Sequence, residues 1–485
     1  MTMETSPLYL AGAHVGGEGR TIDVENPATG QIVGRVDSAS VAQLDEAVNS
    51  AVEAQREWKT VPTAARAETL RRLASLLEDN RERLARTVCL EIGKPISEAR
   101  GEVGGAIGFA ELFAGIATTQ GGDILPSSAP NQELWIKREP RGVVGGIIPW
   151  NFPLALTLRK LAPALASGNG IVLKPAELSP LSALAVADLA EEAGVPNGLV
   201  SVLPGPGSVI GDALVRHPDI AFVTMTGSVN AGKSIMAAAA ERVIPVSLEL
   251  GGKAPFIVFD DADVEAAAVA AVQTRMMNNG QACVCNERTY VQSGVFDRFV
   301  ARYVELSQAM IVGDPFDDET EVGPKVSLQE LENVERLVGD AVDRGAEVLT
   351  GGKRLTGGIY DSGYWYAPTV LTGVSSSADI MTQETFGPVT PIVPFDSETD
   401  AVRMANSTDY GLSSYVYTRD FGTAMRMIDG IESGEVFINR GGPEENTGFH
   451  AGWGLSGIGG DDGIHGYDLY CRRKTAYVAW EGSAA

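Results

Sequence analysis

The sequence predicts an α/β protein with a doubly wound, mostly parallel sheet, a second α/β unit and a small β extension. From residue 142, short apolar runs alternate with segments of helical length, the pattern of parallel strands joined by crossover helices. A second alternating series begins near Pro255 and continues to about Val436. Gln132 to Arg138 and Lys474 to Trp480 alternate polar and apolar residues, as exposed edge or hairpin strands do, and such strands can pair across subunits.

Along the chain, Val41 to Lys59 and Thr63 to Glu78 carry helical periodicity. In the second of these Leu70, Leu73, Leu76 and Leu77 form one stripe, so both read as helices covering a sheet. Val143 to Ile148, Ile171 to Leu173, Val200 to Leu203, Ala221 to Thr224 and Val246 to Leu248 read as the strands of the first unit. Ligands of such a sheet sit beyond the C-terminal ends of its strands. In the second unit, helices are expected at Asp263 to Met276, Phe296 to Ile311 and Leu328 to Arg344.

The 485 residues are 44% hydrophobic and 21% charged, which provides for a substantial core and excludes a disordered chain. A net charge of -25 repels phosphate backbones and anionic lipid, and no basic patch offsets it, so neither nucleic acid nor a membrane surface is an expected partner. Met1 to Gly19 lacks the basic start and apolar core of a secretory signal. The longest apolar stretch, Val143 to Leu158, is interrupted by Pro149, Asn151 and Pro153, which argues against a membrane span. A cytoplasmic location follows as an expectation. Four cysteines (Cys89, Cys283, Cys285, Cys471) are too few for a disulfide framework, and no His lies near Cys283-x-Cys285, so no metal site is expected.

Several strand-end segments carry candidate chemistry. Cys283 follows Asn279-Gly280-Gln281-Ala282 and is either a buried small hydrophobe or a nucleophile activated near a helix N-terminus; Cys285 reads as its structural neighbour. Glu249 closes an apolar strand before Gly251-Gly252 and is either a general base or the ion-pair partner of Lys253 or another cation. In Pro149-Trp150-Asn151-Phe152-Pro153, Asn151 can donate to an oxyanion, although the segment also reads as a rigid connection. Lys174 and Glu177 suit the two hydroxyls of a ribose or a salt bridge. Gly205 to Gly211 has one residue too many for a dinucleotide loop. Gly227 to Ser234 fits the P-loop pattern, with Phe256 to Asp261 as a Walker-B-like strand, so a phosphohydrolase is a competing function; the same turn can hold a dinucleotide pyrophosphate.

In this order the motifs resemble the NAD(P)-dependent aldehyde dehydrogenase family over nearly the whole chain. They are Asn26 to Gly30, Pro149 to Pro153, Lys174 to Glu177, Thr226 to Gly232, Glu249 to Lys253, Gly280 to Cys283 and Glu384-Thr385-Phe386-Gly387-Pro388. The separation of 34 positions from Glu249 to Cys283 equals that family's usual spacing. The resemblance implies Cys283 as nucleophile, Asn151 as oxyanion donor and Glu249 as base for the deacylating water. It further implies Trp150, Lys174, Glu177, Gly207, Gly227, Ser228, Gly232, Glu384 and Phe386 around the cofactor, with NAD preferred over NADP because Glu177 repels a 2′-phosphate.

The resemblance also implies three parts. Residues 1–121 and 142–248, with 449–465 returning, would bind NAD; 249–448 would be catalytic; 122–141 and 466–485 would form a β extension building a homodimer or homotetramer. Gly448 to Trp453 and Ser456 to Gly460 most resemble the lactaldehyde and glycolaldehyde dehydrogenase branch, whose substrate-contacting residues match Arg159, Glu444 and His450. A small hydroxyaldehyde is the substrate this implies. Val284 replaces that branch's asparagine and Gly441-Gly442-Pro443 also departs from its pattern, so a less polar aliphatic or aromatic aldehyde is the alternative. An inactive relative retained for binding is a third reading, opposed by the intact set of catalytic residue types.

Overall fold

The computed structural model describes residues 5–481. Its first sheet has eight strands in the order Gly457–Ile458, Val246–Glu249, Ile220–Thr226, Val143–Ile147, Gly170–Lys174, Val200–Val202, Leu8–Leu10 and Ala13–Val15. The five strands from Val246–Glu249 to Val200–Val202 are mutually parallel, and the outer strands join antiparallel. The register sets Thr226 beside Glu249 and Ile147 beside Lys174. The segments after these strands therefore emerge along one edge of the sheet, and the candidate residues cluster there.

Helix Pro153–Ser167 starts with proline at its first turn, where no backbone N–H is missed, and every residue in it is buried. Helix Thr63–Asp79 buries Leu70, Leu73 and Leu77, but against helices Ile96–Thr119 and Pro153–Ser167 rather than on the sheet itself. This differs from the expected sheet-covering role, because the wholly buried Pro153–Ser167 helix occupies the layer between. Helix Val41–Trp58 does lie over the sheet; Ser40 accepts from the Gln43 N–H while the Gln43 side chain caps Ser40 in return.

The second sheet runs Glu347–Thr350, Thr369–Thr372, Val389–Phe395, Asn286–Gln292, Ala254–Val258, Ser413–Tyr417 and Glu435–Ile438, parallel except at the first pair. Cys471–Ala479 pairs antiparallel with Gln132–Pro140, with Thr475 opposite Ile136, and Asp123–Pro126 completes a three-stranded sheet. The two segments read as exposed strands thus satisfy one another within the chain. Their sheet leaves Ile124, Leu125, Tyr477 and Trp480 exposed. Among the described residues no helix is long and apolar enough to cross a membrane.

Candidate active site

Cys283 sits on a turn fastened from several sides. After helix Val264–Met276 the chain takes left-handed backbone at Asn278, Asn279 and Gly280, and a Cβ at Gly280 would collide with the Gly387 carbonyl. The Gln281 side chain donates to the Asn278 carbonyl at 2.9 Å and accepts from the Val326 N–H at 2.9 Å. Tyr415 Oη donates to the Val284 carbonyl at 2.7 Å. The neighbours Ala282, Val284 and Cys285 are buried, whereas Cys283 is partly exposed. The sequence placed Cys283 near a helix N-terminus that would lower its pKa. Instead it follows a left-handed turn and precedes strand Asn286–Gln292; burial pushes its thiol up, and the nearby His450 partly opposes this.

The Asn151 loop is locked against this turn. Its carbonyl accepts from Lys94 Nζ at 3.0 Å and Asn278 Nδ2 at 2.9 Å, while Asn151 Nδ2 donates to the Gln281 carbonyl at 3.0 Å. That uses one of the two amide N–H bonds and leaves the other for a ligand. Lys94 is buried, paired with Glu102, and its ammonium lies 3.5 Å from the Phe152 ring centroid. Glu102 in turn accepts from the Leu154 and Ala155 amides at the start of helix Pro153–Ser167, where a carboxylate is favoured.

Glu249 ends its strand with both carboxylate oxygens buried and without a hydrogen-bond partner. The alternative partner Lys253 is engaged elsewhere: its Nζ lies 2.6 Å from Glu287 Oε2 and 3.1 Å from Thr385 Oγ1. Burial pushes the Glu249 carboxyl up to about 8, assisted by Asp461 and opposed by His450, Lys160 and Arg159. Its nearest cation is His450, whose Nε2 is 3.6 Å from Glu249 Oε2.

Arg159, Glu444 and His450 do come together, but as partners of one another. Arg159 forms a two-point ion pair with Asp462 and lies 3.2 Å from Glu444, while its neighbour Lys160 pairs with Asp461. His450 is 1% exposed and bonds Glu435 Oε2 through Nδ1 at 3.1 Å. Val284 packs in a small apolar cluster with Ala282, Cys285 and Leu412, against Phe152 and Met277. Asp461, Asp462 and Glu435 were missed by sequence reasoning. An acidic pair directly after the Gly459-Gly460 turn and a lone carboxylate heading the apolar Glu435–Ile438 strand were the available signals.

Cys283 opens onto a cleft of about 920 Å³, within the range of cofactor clefts. Trp150, Lys174, Gly207, Gly227, Glu384 and Phe386 line it. Ser228 also lines it and caps helix Val229–Ala240, accepting from the Ala231 N–H at 3.3 Å, so the amides of that helix start face the cleft. Trp150 and Phe386 meet edge to face at 5.5 Å. Glu384 accepts from the Gly252 N–H at 2.8 Å, and burial raises its carboxyl to about 8. Lys174 is buried with its pKa lowered to about 8 by desolvation. A helix start for phosphate, a buried lysine, a carboxylate and an aromatic wall beside the thiol fit a nicotinamide dinucleotide. Glu177 stands off the lining, with an oxygen 2.5 Å from Arg20 Nη2, and Gly232 packs its helix against Leu250.

The P-loop reading does not survive this geometry. Lys233 lies a full turn inside helix Val229–Ala240 and is solvent-exposed, so it cannot reach a phosphate at Ser228. The strand Ala254–Val258 belongs to the other sheet, and the Asp261 carboxylate after it binds Thr418 and the amides of Arg419 and Asp420.

Comparison with known proteins shows the family. The model of the aldehyde dehydrogenase family matches residues 14–476. A 3,6-anhydro-alpha-L-galactose dehydrogenase of Streptomyces coelicolor is 52% identical over 458 residues, covering 94% of this chain and 93% of the relative. The lactaldehyde dehydrogenase of Escherichia coli is 42% identical over 474 residues, covering 97% of this chain and 98% of its own. A solved structure of 3,6-anhydro-L-galactose dehydrogenase in complex with NAP superposes with a TM-score of 0.95 at 42% identity, covering 98% of this chain and 100% of that one. With these matches along its length, and with the cysteine turn and the asparagine loop both lining a dinucleotide-sized cleft, the chain belongs to the aldehyde dehydrogenase family.

Proposed function

We propose that this protein oxidises a neutral hydroxylated aldehyde to the free acid with NAD, through a thioester on Cys283. The reading is carried by two observations, a partly exposed thiol at Cys283 opening on the cofactor-sized cleft and a buried, hydrogen-bond-free carboxylate at Glu249. The Cys283 thiolate attacks the aldehyde carbon, and the free N–H of Asn151 together with the Cys283 amide holds the oxyanion. The bound dinucleotide supplies the hydride acceptor. Glu249 then takes a proton from the water that hydrolyses the thioester, so an acid rather than an acyl-CoA leaves. Lys174 and Glu384 hold the cofactor's riboses, Ser228 and Gly227 its pyrophosphate, and Gly207, Trp150 and Phe386 shape the walls.

The substrate class rests on charge. Arg159 is already matched by Asp462 and Glu444, so the site has no spare cation for a second carboxylate on the substrate. Neutral hydroxyaldehydes suit it, from glycolaldehyde and lactaldehyde to sugar-derived aldehydes such as those named for the relatives. The apolar setting of Val284 favours the less polar members of that class. Glu177 supports NAD, although Arg20 partly offsets its charge and one structural neighbour was solved with NAP. In this reading residues 1–121 and 142–248, with 449–465, serve the dinucleotide and 249–448 the chemistry. The β extension assigned to 122–141 and 466–485, whose described strands Asp123–Pro126, Gln132–Pro140 and Cys471–Ala479 leave Ile124 and Tyr477 exposed, joins a cytoplasmic homodimer or homotetramer. NADH formation across glycolaldehyde, lactaldehyde, a deoxysugar aldehyde, benzaldehyde and an acid semialdehyde tests the proposal. Turnover of the neutral hydroxyaldehydes, lost in Cys283→Ala, supports it; preference for the acid semialdehyde overturns it.

A further inference from the structure

Lys325 is a buried lysine that the reaction steps leave without a duty. It is 0% exposed, and its one side-chain hydrogen bond among the described residues runs from Nζ to the Phe386 carbonyl. Among the same residues it enters no ion pair, since the buried Glu287 carboxylate is taken by Lys253 and Arg275. Desolvation lowers its pKa to about 7, with Arg275 acting in the same direction and Glu330 and Glu287 opposing. An apolar side chain of the same length would fill this space without the cost of burying an amine. What the amine adds is a donor aimed at one carbonyl.

We infer that Lys325 is a positioning residue for the dinucleotide, which it serves by fixing the Phe386 wall of the cleft. The inference rests on that cleft being the cofactor site. Phe386 has left-handed backbone with a φ of 48°, a conformation that an aromatic residue keeps only where its surroundings impose it. Its N–H donates to Glu287 Oε1 at 3.0 Å, and Lys325 holds the carbonyl at the other end of the residue. Between these two anchors the ring lines the cleft and meets Trp150 edge to face. The Thr385 N–H donates to Glu287 as well, so the same backbone carries Glu384 to the cleft.

The backbone around Lys325 is itself fixed. Its N–H donates to the Tyr364 carbonyl at 2.7 Å, and the Tyr364 N–H donates to the Pro27 carbonyl at 3.0 Å. Gly363, at a φ of 76°, lies so close to the Pro27 and Ala28 carbonyls that a Cβ would stand 2.4 Å from each. The Asn26 to Gly30 motif, which takes no part in the chemistry, thus seats the loop that seats Lys325. The next residue, Val326, donates to Gln281 Oε1 at 2.9 Å. One dipeptide therefore holds the cofactor wall through a side chain and the cysteine turn through its backbone, and replacing the lysine removes only the first of these contacts.

The test separates cofactor binding from the chemistry of the thiol. Hydrolysis of para-nitrophenyl acetate needs Cys283 to take the acetyl group, para-nitrophenolate to leave and Glu249 to activate water, but it needs no dinucleotide. Lys325→Met should raise the Kd for NAD, measured by isothermal titration calorimetry, about tenfold while leaving ester hydrolysis within about twofold of wild type. In a Phe386→Ala background the same substitution should change that Kd less than about threefold, because the ring it positions is gone. An unchanged Kd in Lys325→Met, an equal loss of NAD binding and ester hydrolysis, or full additivity with Phe386→Ala overturns the inference. Failure of the wild-type protein to bind NAD refutes the cofactor reading itself, and this inference with it.

Discussion

Lys253 Nζ lies 2.6 Å from Glu287 Oε2 with both side chains buried, and this pairing withholds the lysine from Glu249, four residues away in sequence. Arg275 reaches the same carboxylate at 2.9 Å, and Thr385 and Phe386 donate backbone amides to it. The pair thereby anchors the segment carrying Glu384 and Phe386 against the cysteine turn.

Removing Glu287 leaves the buried Lys253 and Arg275 cations uncompensated. Glu287→Gln should lower the unfolding free energy by about 3–5 kcal/mol in denaturant titrations, whereas a loss below about 1 kcal/mol contradicts this account. The pH dependence has a definite sign. Burial would raise the Glu287 carboxyl, but Arg275 and Lys253 hold it well below the usual range. Its stabilisation is therefore present above the unfolded value of about 4.3 and is lost as pH falls through the lower folded value. Wild type should accordingly lose part of its margin over the variant in strong acid.

In the proposed reading Arg159 faces the substrate and Asp462 is its two-point partner. Asp462→Asn removes that partner and leaves Glu444 at 3.2 Å, and Asn tolerates the positive φ of 69° at this position better than most residues. The ratio of kcat/KM for an acid semialdehyde to that for glycolaldehyde should rise about tenfold. An unchanged ratio means that Arg159 does not control substrate charge.

The proposed preference for NAD rests on Glu177, whose oxygen lies 2.5 Å from Arg20 Nη2. Glu177→Gln should raise kcat/KM for NADP about tenfold while altering that for NAD little, and Arg20→Ala should lower NADP use by exposing the Glu177 charge. Equal effects of either change on both dinucleotides would place this pair outside cofactor selection.

The parallel strands were legible because runs such as Val143 to Ile148 and Val200 to Leu203 are short, apolar and separated by helix-length segments. Their ends in the structure fall within about two residues of those readings. Local pattern also exposed Cys283, Glu249 and Asn151, since each sits at a strand end or glycine turn. What the sequence hid is long-range pairing. Nothing local joins Arg159 to Asp462 or His450 to Glu435, and the helix start expected at Cys283 proved to be a left-handed turn specified by contacts with Gly387 and Tyr415.

The raised pKa of Glu249 has a kinetic consequence. A base with a pKa near 8 is largely protonated in the resting enzyme at pH 7, so hydrolysis of the acyl-enzyme should quicken about tenfold per pH unit below 8 and level off above it. Stopped-flow deacylation rates across that range check this; a flat profile contradicts a carboxylate base.

The most direct test of the two-step thioester route is the time course of NADH in Glu249→Gln mixed rapidly with glycolaldehyde and NAD. A burst equal to the concentration of active sites should appear, followed by turnover about 100-fold or more below wild type, because hydride leaves before water is needed. Steady turnover at the wild-type rate, or no burst from a folded variant, contradicts the assignment of Glu249 to deacylation of Cys283.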